Sequence, residues 1–177
     1  MDIRFRRHHE SITDSESWEQ YSARLAITEE PAERYFFQHV VYWHYDDFTG
    51  RFHWFQLEDF SFTFENWTAE RIHREIRYDA GENLDWHYHH FKIKKLIPLL
   101  TKMEEDHTWP MPPVVFVFSS SFTTKDKANI TPVHLIEGTH RVSYLKKFLL
   151  DGFISPESKH KLLVLRNKDR TPSNQPM

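Results

Sequence analysis

The sequence predicts an α+β fold: a small mixed β-sheet with flanking helices, joined to an aromatic, mainly helical N-terminal extension. Three observations carry that expectation. Short apolar runs of strand length recur in the second half, at Val114–Phe118, Val133–Ile136 and Leu162–Leu165. Apolar residues at helical spacing dominate residues 14–43 and 141–150. Glycine occurs only four times in 177 residues, so each one reads as punctuation between elements.

Taken in order, residues 1–13 form a polar arm. Asp14 or Ser15 is placed to cap a helix running through Ile27, with Trp18, Tyr21 and Leu25 on one face. Pro31 suits the first turn of a second helix, drawn to Trp43, with Tyr35, Phe36, Val40 and Trp43 as its buried side. Thr49-Gly50 ends that segment. Residues 51–64 then alternate with period two, which predicts two short aromatic strands around Glu58-Asp59.

A helix is expected over Trp67–Arg77, followed by a loop at 79–83. Residues 84–97 alternate weakly, as a strand would, and a helix follows over Leu96–Met103 with Pro98 near its start. After the Trp109–Pro113 breaker come the strand Val114–Phe118, a polar hairpin-like connection over Ser119–Thr131, and the strand Val133–Ile136. The helix Arg141–Leu150 turns Val142, Leu145, Phe148 and Leu149 inward and stops at Gly152. Leu162–Leu165 is the last strand, and the tail from Arg166 is expected to be loose. These elements divide the chain into an extension at 1–90, a compact domain at 91–166 and a tail at 167–177.

Composition narrows the function classes. The formal net charge of −3 argues against a general nucleic-acid coat, so nucleic acid is not the favoured partner. With no cysteine, disulfides, thiolate metal sites and cysteine nucleophiles are excluded. The first residues have no apolar core of signal-peptide length, and no apolar run reaches membrane-spanning length. A cytoplasmic protein without membrane partners is the expectation.

Glu137-Gly138-Thr139-His140-Arg141 is the most informative stretch. An apolar strand runs into it and an amphipathic helix leaves it. Free N–H groups and the helix dipole then converge on one spot, which suits an anion. Gly138 permits close approach to the main chain, while Thr139, His140 and Arg141 add a hydroxyl, an imidazole and a guanidinium.

Residues 91–166 resemble the ParB/sulfiredoxin-like superfamily. The shared features are a helix at Leu96–Met103, a strand introduced by Pro112-Pro113, a strand ending in Glu137-Gly138-Thr139-His140-Arg141, and an apolar-spaced helix. The resemblance implies a nucleotide- or phosphate-binding protein using ATP or CTP with magnesium, with phosphoryl transfer or phosphodiester hydrolysis as its chemistry. Glu137 and His140 would be the catalytic candidates. Gly138, Thr139, His140 and Arg141 would bind the cofactor's phosphates. Thr139 stands where sulfiredoxins hold their attacking cysteine, so sulfinate reduction is not expected. No further phosphate motif or helix-turn-helix pattern follows Arg141, so a sliding DNA clamp is not expected either.

Other clusters admit competing readings. A non-catalytic interaction module is the alternative: the aromatic N-terminal half meets a protein partner and the turn keeps only a vestigial pocket. Asp85, His87, His89 and His90 combine metal-ligand chemistry with no recognised metal motif, and a histidine-rich strand or loop is the plainer account. The row Trp54, Phe60, Phe62, Phe64 and Trp67 offers base-stacking rings, but at this density an aromatic core is the better expectation. Lys92, Lys94, Lys95 and Lys102 suit either the flank of a phosphate pocket or a solvent face. His160, just before the last strand, is placed to approach the turn, whereas Ser143 shows no triad partners in sequence.

Overall fold

A computed structural model describes residues 6–7, 16–77, 97–124 and 129–168. It divides the chain into two compact units, residues 1–63 with 167–177, and residues 64–166. The architecture is α+β, with a four-stranded mixed sheet and flanking helices.

The first unit is built on aromatic burial. Its helix α1 spans Trp18–Arg24 and starts at Ser17, not at Asp14 or Ser15. The cause is local: Ser17 accepts from the Gln20 N–H while the Gln20 side chain accepts from the Ser17 N–H. That reciprocal capping box satisfies two otherwise orphaned donors. Helix α2 spans Pro31–Phe36, then a π-helical turn over Phe37–Val41 leads into α3 at Tyr42–Arg51. The extra residue of the π turn rotates the chain beyond it by roughly 100° relative to an uninterrupted helix. Phe36, Phe37, Val40 and Val41 are therefore buried, whereas Trp43, expected on the same face, is 59% exposed. At His44 the backbone leaves helical geometry (φ −130°, ψ 28°), which adds a kink.

Phe48, Phe52, Phe55 and Phe60 complete this core. Phe36 lies 5.5 Å from Phe48 and 5.7 Å from Phe55 between ring centroids, and Phe55 stacks on Phe60 at 4.9 Å. The two strands expected over 51–64 are one: a 3₁₀ turn occupies Leu57–Asp59 and the strand β1 begins at Phe60. Phe52 and Phe55 are both drawn into the core, so strict alternation cannot hold before Phe60.

The second unit carries the sheet, in the order β1-β6-β2-β5. Its strands are β1 (Phe60–Thr68), β2 (Val114–Val117), β5 (Val133–Glu137) and β6 (Lys159–Asn167). A two-stranded hairpin of β3 (Phe122–Thr123) and β4 (Asn129–Ile130) connects β2 to β5. β2 pairs parallel with β6 and antiparallel with β5. Val114, Val115, Phe116 and Leu162–Leu165 are essentially inaccessible, as apolar runs buried on both sheet faces should be. The helices are α4 (Ala69–Glu75), α5 (Ile97–Asp106) and α6 (Thr139–Leu150).

Thr68 caps α4 by accepting from the Arg71 N–H, so the helix starts later than Trp67. α4 packs against α6. The core joins Trp67, Ile72, Ile76, Met103, Val142, Leu145 and Phe148 to the sheet residues Val115, Leu135, Leu162 and Val164. Arg166 is not part of a loose tail: its guanidinium grips the Glu65 carboxylate through contacts of 2.8–3.0 Å. Lys168 is also anchored, its N–H donating to the Asp59 carbonyl at 2.7 Å.

His160 is buried in this unit. Its Nδ1 lies 2.9 Å from Thr108 Oγ1 and its Nε2 lies 2.9 Å from Ser158 Oγ. Ser158 donates its own hydroxyl to the Ser155 carbonyl at 2.7 Å, so the arrangement requires Nε2–H and an Nδ1 that accepts from Thr108. The ring is thus a neutral structural bridge, and burial lowers its pKa to about 4. The unfolded chain, with an ordinary histidine pKa near 6.5, binds this proton more readily between pH 6.5 and 4. Stability is expected to be full above about pH 6.5 and to fall by up to about 3 kcal/mol as pH drops towards 4. Urea unfolding at successive pH values checks this, and His160→Gln should flatten that part of the profile.

Candidate functional site

The strand-to-helix turn forms where expected, and its local geometry follows from three sequence features. β5 carries a bulge, because Val114 pairs with Glu137 but Val115 with Leu135, leaving Ile136 as the extra residue. A bulge re-aims the side chain that follows it, here Glu137. Gly138 then adopts the left-handed region (φ 101°, ψ 26°) and stands at the N-cap of α6 without any side-chain cap. The helix therefore begins at Thr139, and the Val142 N–H reaches the Gly138 carbonyl at 3.0 Å. In the first turn of any helix the leading N–H groups have no intrahelical acceptor, and the dipole makes that end positive.

The space that Gly138 leaves open is taken by the protein itself. A Cβ at this position would stand 2.6 Å from the Cβ of Pro113 and 3.3 Å from Nε of Arg141. Glycine is thus required twice, by the positive φ and by the proline packed on it.

Arg141 is 7% exposed. One terminal nitrogen, Nη1, donates to the Met111 carbonyl at 2.8 Å, and the other, Nη2, donates to the Glu137 carboxylate. Glu137 and Arg141 are four residues apart across the turn and form an ion pair. The negative member lies beside the positive helix end and the guanidinium fork is held by partners on two sides. Thr139 and His140 are half-buried in the first turn, and His140 has further interactions of its own.

Helix α6 also buries a group that periodicity did not single out. Lys146 is 1% exposed, and its Nζ donates to the Ile76 carbonyl at 2.8 Å. It supplies a cationic cap at the C-terminal end of α4, where free carbonyls and the negative dipole end favour positive charge. A lysine followed directly by Lys147 looks like a solvent-facing residue in sequence, and only the packing of α4 on α6 draws it inside.

The remaining candidates separate. Ser143 is fully buried within α6. His160 is held by Thr108 and Ser158, as described above. Lys102 pairs along its own helix with Asp106 at 2.9 Å, which suits the solvent face of α5. Phe60 and Trp67 of the aromatic row are buried, while Trp54, Phe62 and Phe64 are half-buried. Asp85, His87, His89, His90, Lys92, Lys94 and Lys95 lie outside the described residues. Among the described residues no group of three or more His, Asp or Glu side chains is arranged to hold a metal ion, and no helix is long and apolar enough to cross a membrane.

Comparison with protein-family models, curated proteins and solved structures gave no significant match.

Two substitutions measure how tightly the turn is built. Gly138→Ala combines a strained backbone with a clash against Pro113 and should cost at least about 2 kcal/mol. Arg141→Ala strips a buried cation from the Glu137 carboxylate and the Met111 carbonyl and should cost about 2–3 kcal/mol. Chemical denaturation of each variant reads both values, and a loss below about 0.5 kcal/mol in either would mean that the turn is not held this way.

Proposed function

We propose that this chain is a non-catalytic interaction module that recognises a protein partner, and that Glu137–Arg141 serves the fold rather than a phosphate. The observation that carries the proposal is the engagement of both terminal nitrogens of Arg141 within the protein: one donates to the Met111 carbonyl and the other to the Glu137 carboxylate. A phosphate entering there would have to displace Glu137, the same residue a phosphoryl-transfer scheme would use as base or metal contact. Close approach at Gly138 is likewise used by Pro113.

A second reading retains support from one feature. α6 is twelve residues long and its N-cap has no side-chain acceptor, so its first-turn amides still offer anion-binding geometry. On that reading Gly138, Thr139, His140 and Arg141 bind the phosphates of ATP or CTP with magnesium, and Glu137 and His140 act in phosphoryl transfer or phosphodiester hydrolysis. Glu137 would swing from Arg141 to the metal.

Calorimetric titration of the full chain with ATP, CTP and GTP, each with magnesium, separates the two. The expected result is no saturable heat at millimolar nucleotide. Saturable binding that weakens at least about tenfold in a folded Arg141→Lys variant would overturn the proposal, because lysine keeps the charge but loses the two-pronged fork.

A further inference from the structure

The first unit presents a second cation-binding arrangement, unrelated to the turn. Beyond the π turn, the rings of the buried Tyr42 and the exposed Trp43 meet edge to face, 4.8 Å apart at 77°, and form a corner. The Arg7 guanidinium carbon lies 4.9 Å from the Tyr42 centroid and 5.1 Å from the Trp43 centroid. Its neighbour Arg6 reaches the Asp46 carboxylate at 2.9 Å. A cavity of about 270 Å³ is lined here by both arginines, Tyr42, Trp43, Asp46 and Asp47. Two adjacent guanidinium groups are thus read by two aromatic faces and a carboxylate, the chemistry by which a protein recognises arginine.

The resident pair fits this corner imperfectly. Nε of Arg7 is buried and has no hydrogen-bond partner. Such an orphaned donor subtracts from the stability of the contact. The Arg6–Asp46 pair is exposed on both sides, with side chains 54% and 69% accessible, so it holds Arg6 weakly. Asp47 opens on the same cavity with no ion-pair or hydrogen-bond partner among the described residues. Trp43, at 59% exposure, remains available along its outer surface.

From these contacts we infer that the Tyr42–Trp43 corner with Asp46 and Asp47 is a docking site for an arginine-pair segment of a partner protein, and that Arg6-Arg7 of the same chain is its displaceable resident. The inference rests on the proposal of an interaction module and names the chemistry of its partner. An incoming segment can place one guanidinium on the Tyr42 and Trp43 rings and the other on the Asp46 and Asp47 carboxylates that line the same cavity. Removing the resident arginines raises the fraction of open sites, so apparent affinity rises in proportion.

The probe is the blocked dipeptide acetyl-Arg-Arg-amide, titrated by calorimetry into the full chain and into an Arg6→Ala/Arg7→Ala variant. The double variant should bind at least about tenfold more tightly than the parent chain. Adding Trp43→Ala to it should abolish binding while leaving the unfolding midpoint unchanged, since that ring is exposed. Acetyl-Lys-Lys-amide should bind at least about tenfold more weakly, for want of a planar fork to lie on the rings. Absence of dipeptide binding to the double variant, indifference to Trp43→Ala, or equal affinity for the lysine dipeptide would each overturn the inference. So would a concentration-dependent dimer of the parent chain that the double substitution abolishes, because the occupant would then be a second copy's arm. Nucleotide binding in the preceding experiment defeats the module proposal itself, whereas silence of the dipeptide alone defeats only the arginine corner.

Discussion

A guanidinium withdrawn from water must find its counter-charge and acceptors within the protein, because an unpaired buried charge is more costly than most folds can sustain. Arg141 meets that requirement with Glu137 and the Met111 carbonyl, and the surroundings follow from it. The β5 bulge turns Glu137 towards the helix start. Gly138 supplies the left-handed step between strand and helix. Pro113 seals the surface that a side-chain-free residue leaves. Of the features that suggest an anion cradle in sequence, the Arg141 fork and the open face of Gly138 meet protein groups, while the N-cap of α6 carries no side-chain acceptor.

Helix α6 extends this logic along its length. Arg141 ties its start to the segment before β2, and Lys146 ties its middle to the C-terminal end of α4. Both are cations serving carbonyl acceptors from other parts of the chain, and both are almost wholly buried. The segment before β2 is held again through Trp109, whose Nε1 donates to the Lys161 carbonyl at 2.6 Å. Buried polar groups of this kind select one packing among the many that an apolar core alone would tolerate.

The N-terminal unit divides its aromatic residues between two roles. Phe36, Phe48, Phe52, Phe55 and Phe60 are spent on burial, where large rings contribute most of the hydrophobic stabilisation. Trp43 is withheld from that core by the π turn and the kink at His44, and it meets a cation instead. π-helical turns recur at functional positions because the inserted residue changes which side chains face outward.

Periodicity and punctuation made most of the elements legible. Helical spacing identified α6, the apolar runs identified β2, β5 and β6, and Pro31 marked the start of α2, because each signal is written in neighbours a few residues apart. The junction Glu137–Arg141 was equally legible, since a glycine between strand and helix patterns permits few geometries. What closes that junction could not be read, because Met111 lies 30 residues from Arg141; the separate His160 bridge was hidden for the same reason, Thr108 lying 52 residues from His160. The π turn escaped for another reason, as no glycine or proline marks Phe37–Val41. By itself the sequence determined the position of the turn and the elements on either side of it, β2, β5, β6 and α6, through local backbone preference and apolar period. Tertiary structure alone decided that Arg141 is spent internally, that Lys146 is buried and that Trp43 faces out, since each depends on which distant acceptor or ring the fold brings within reach.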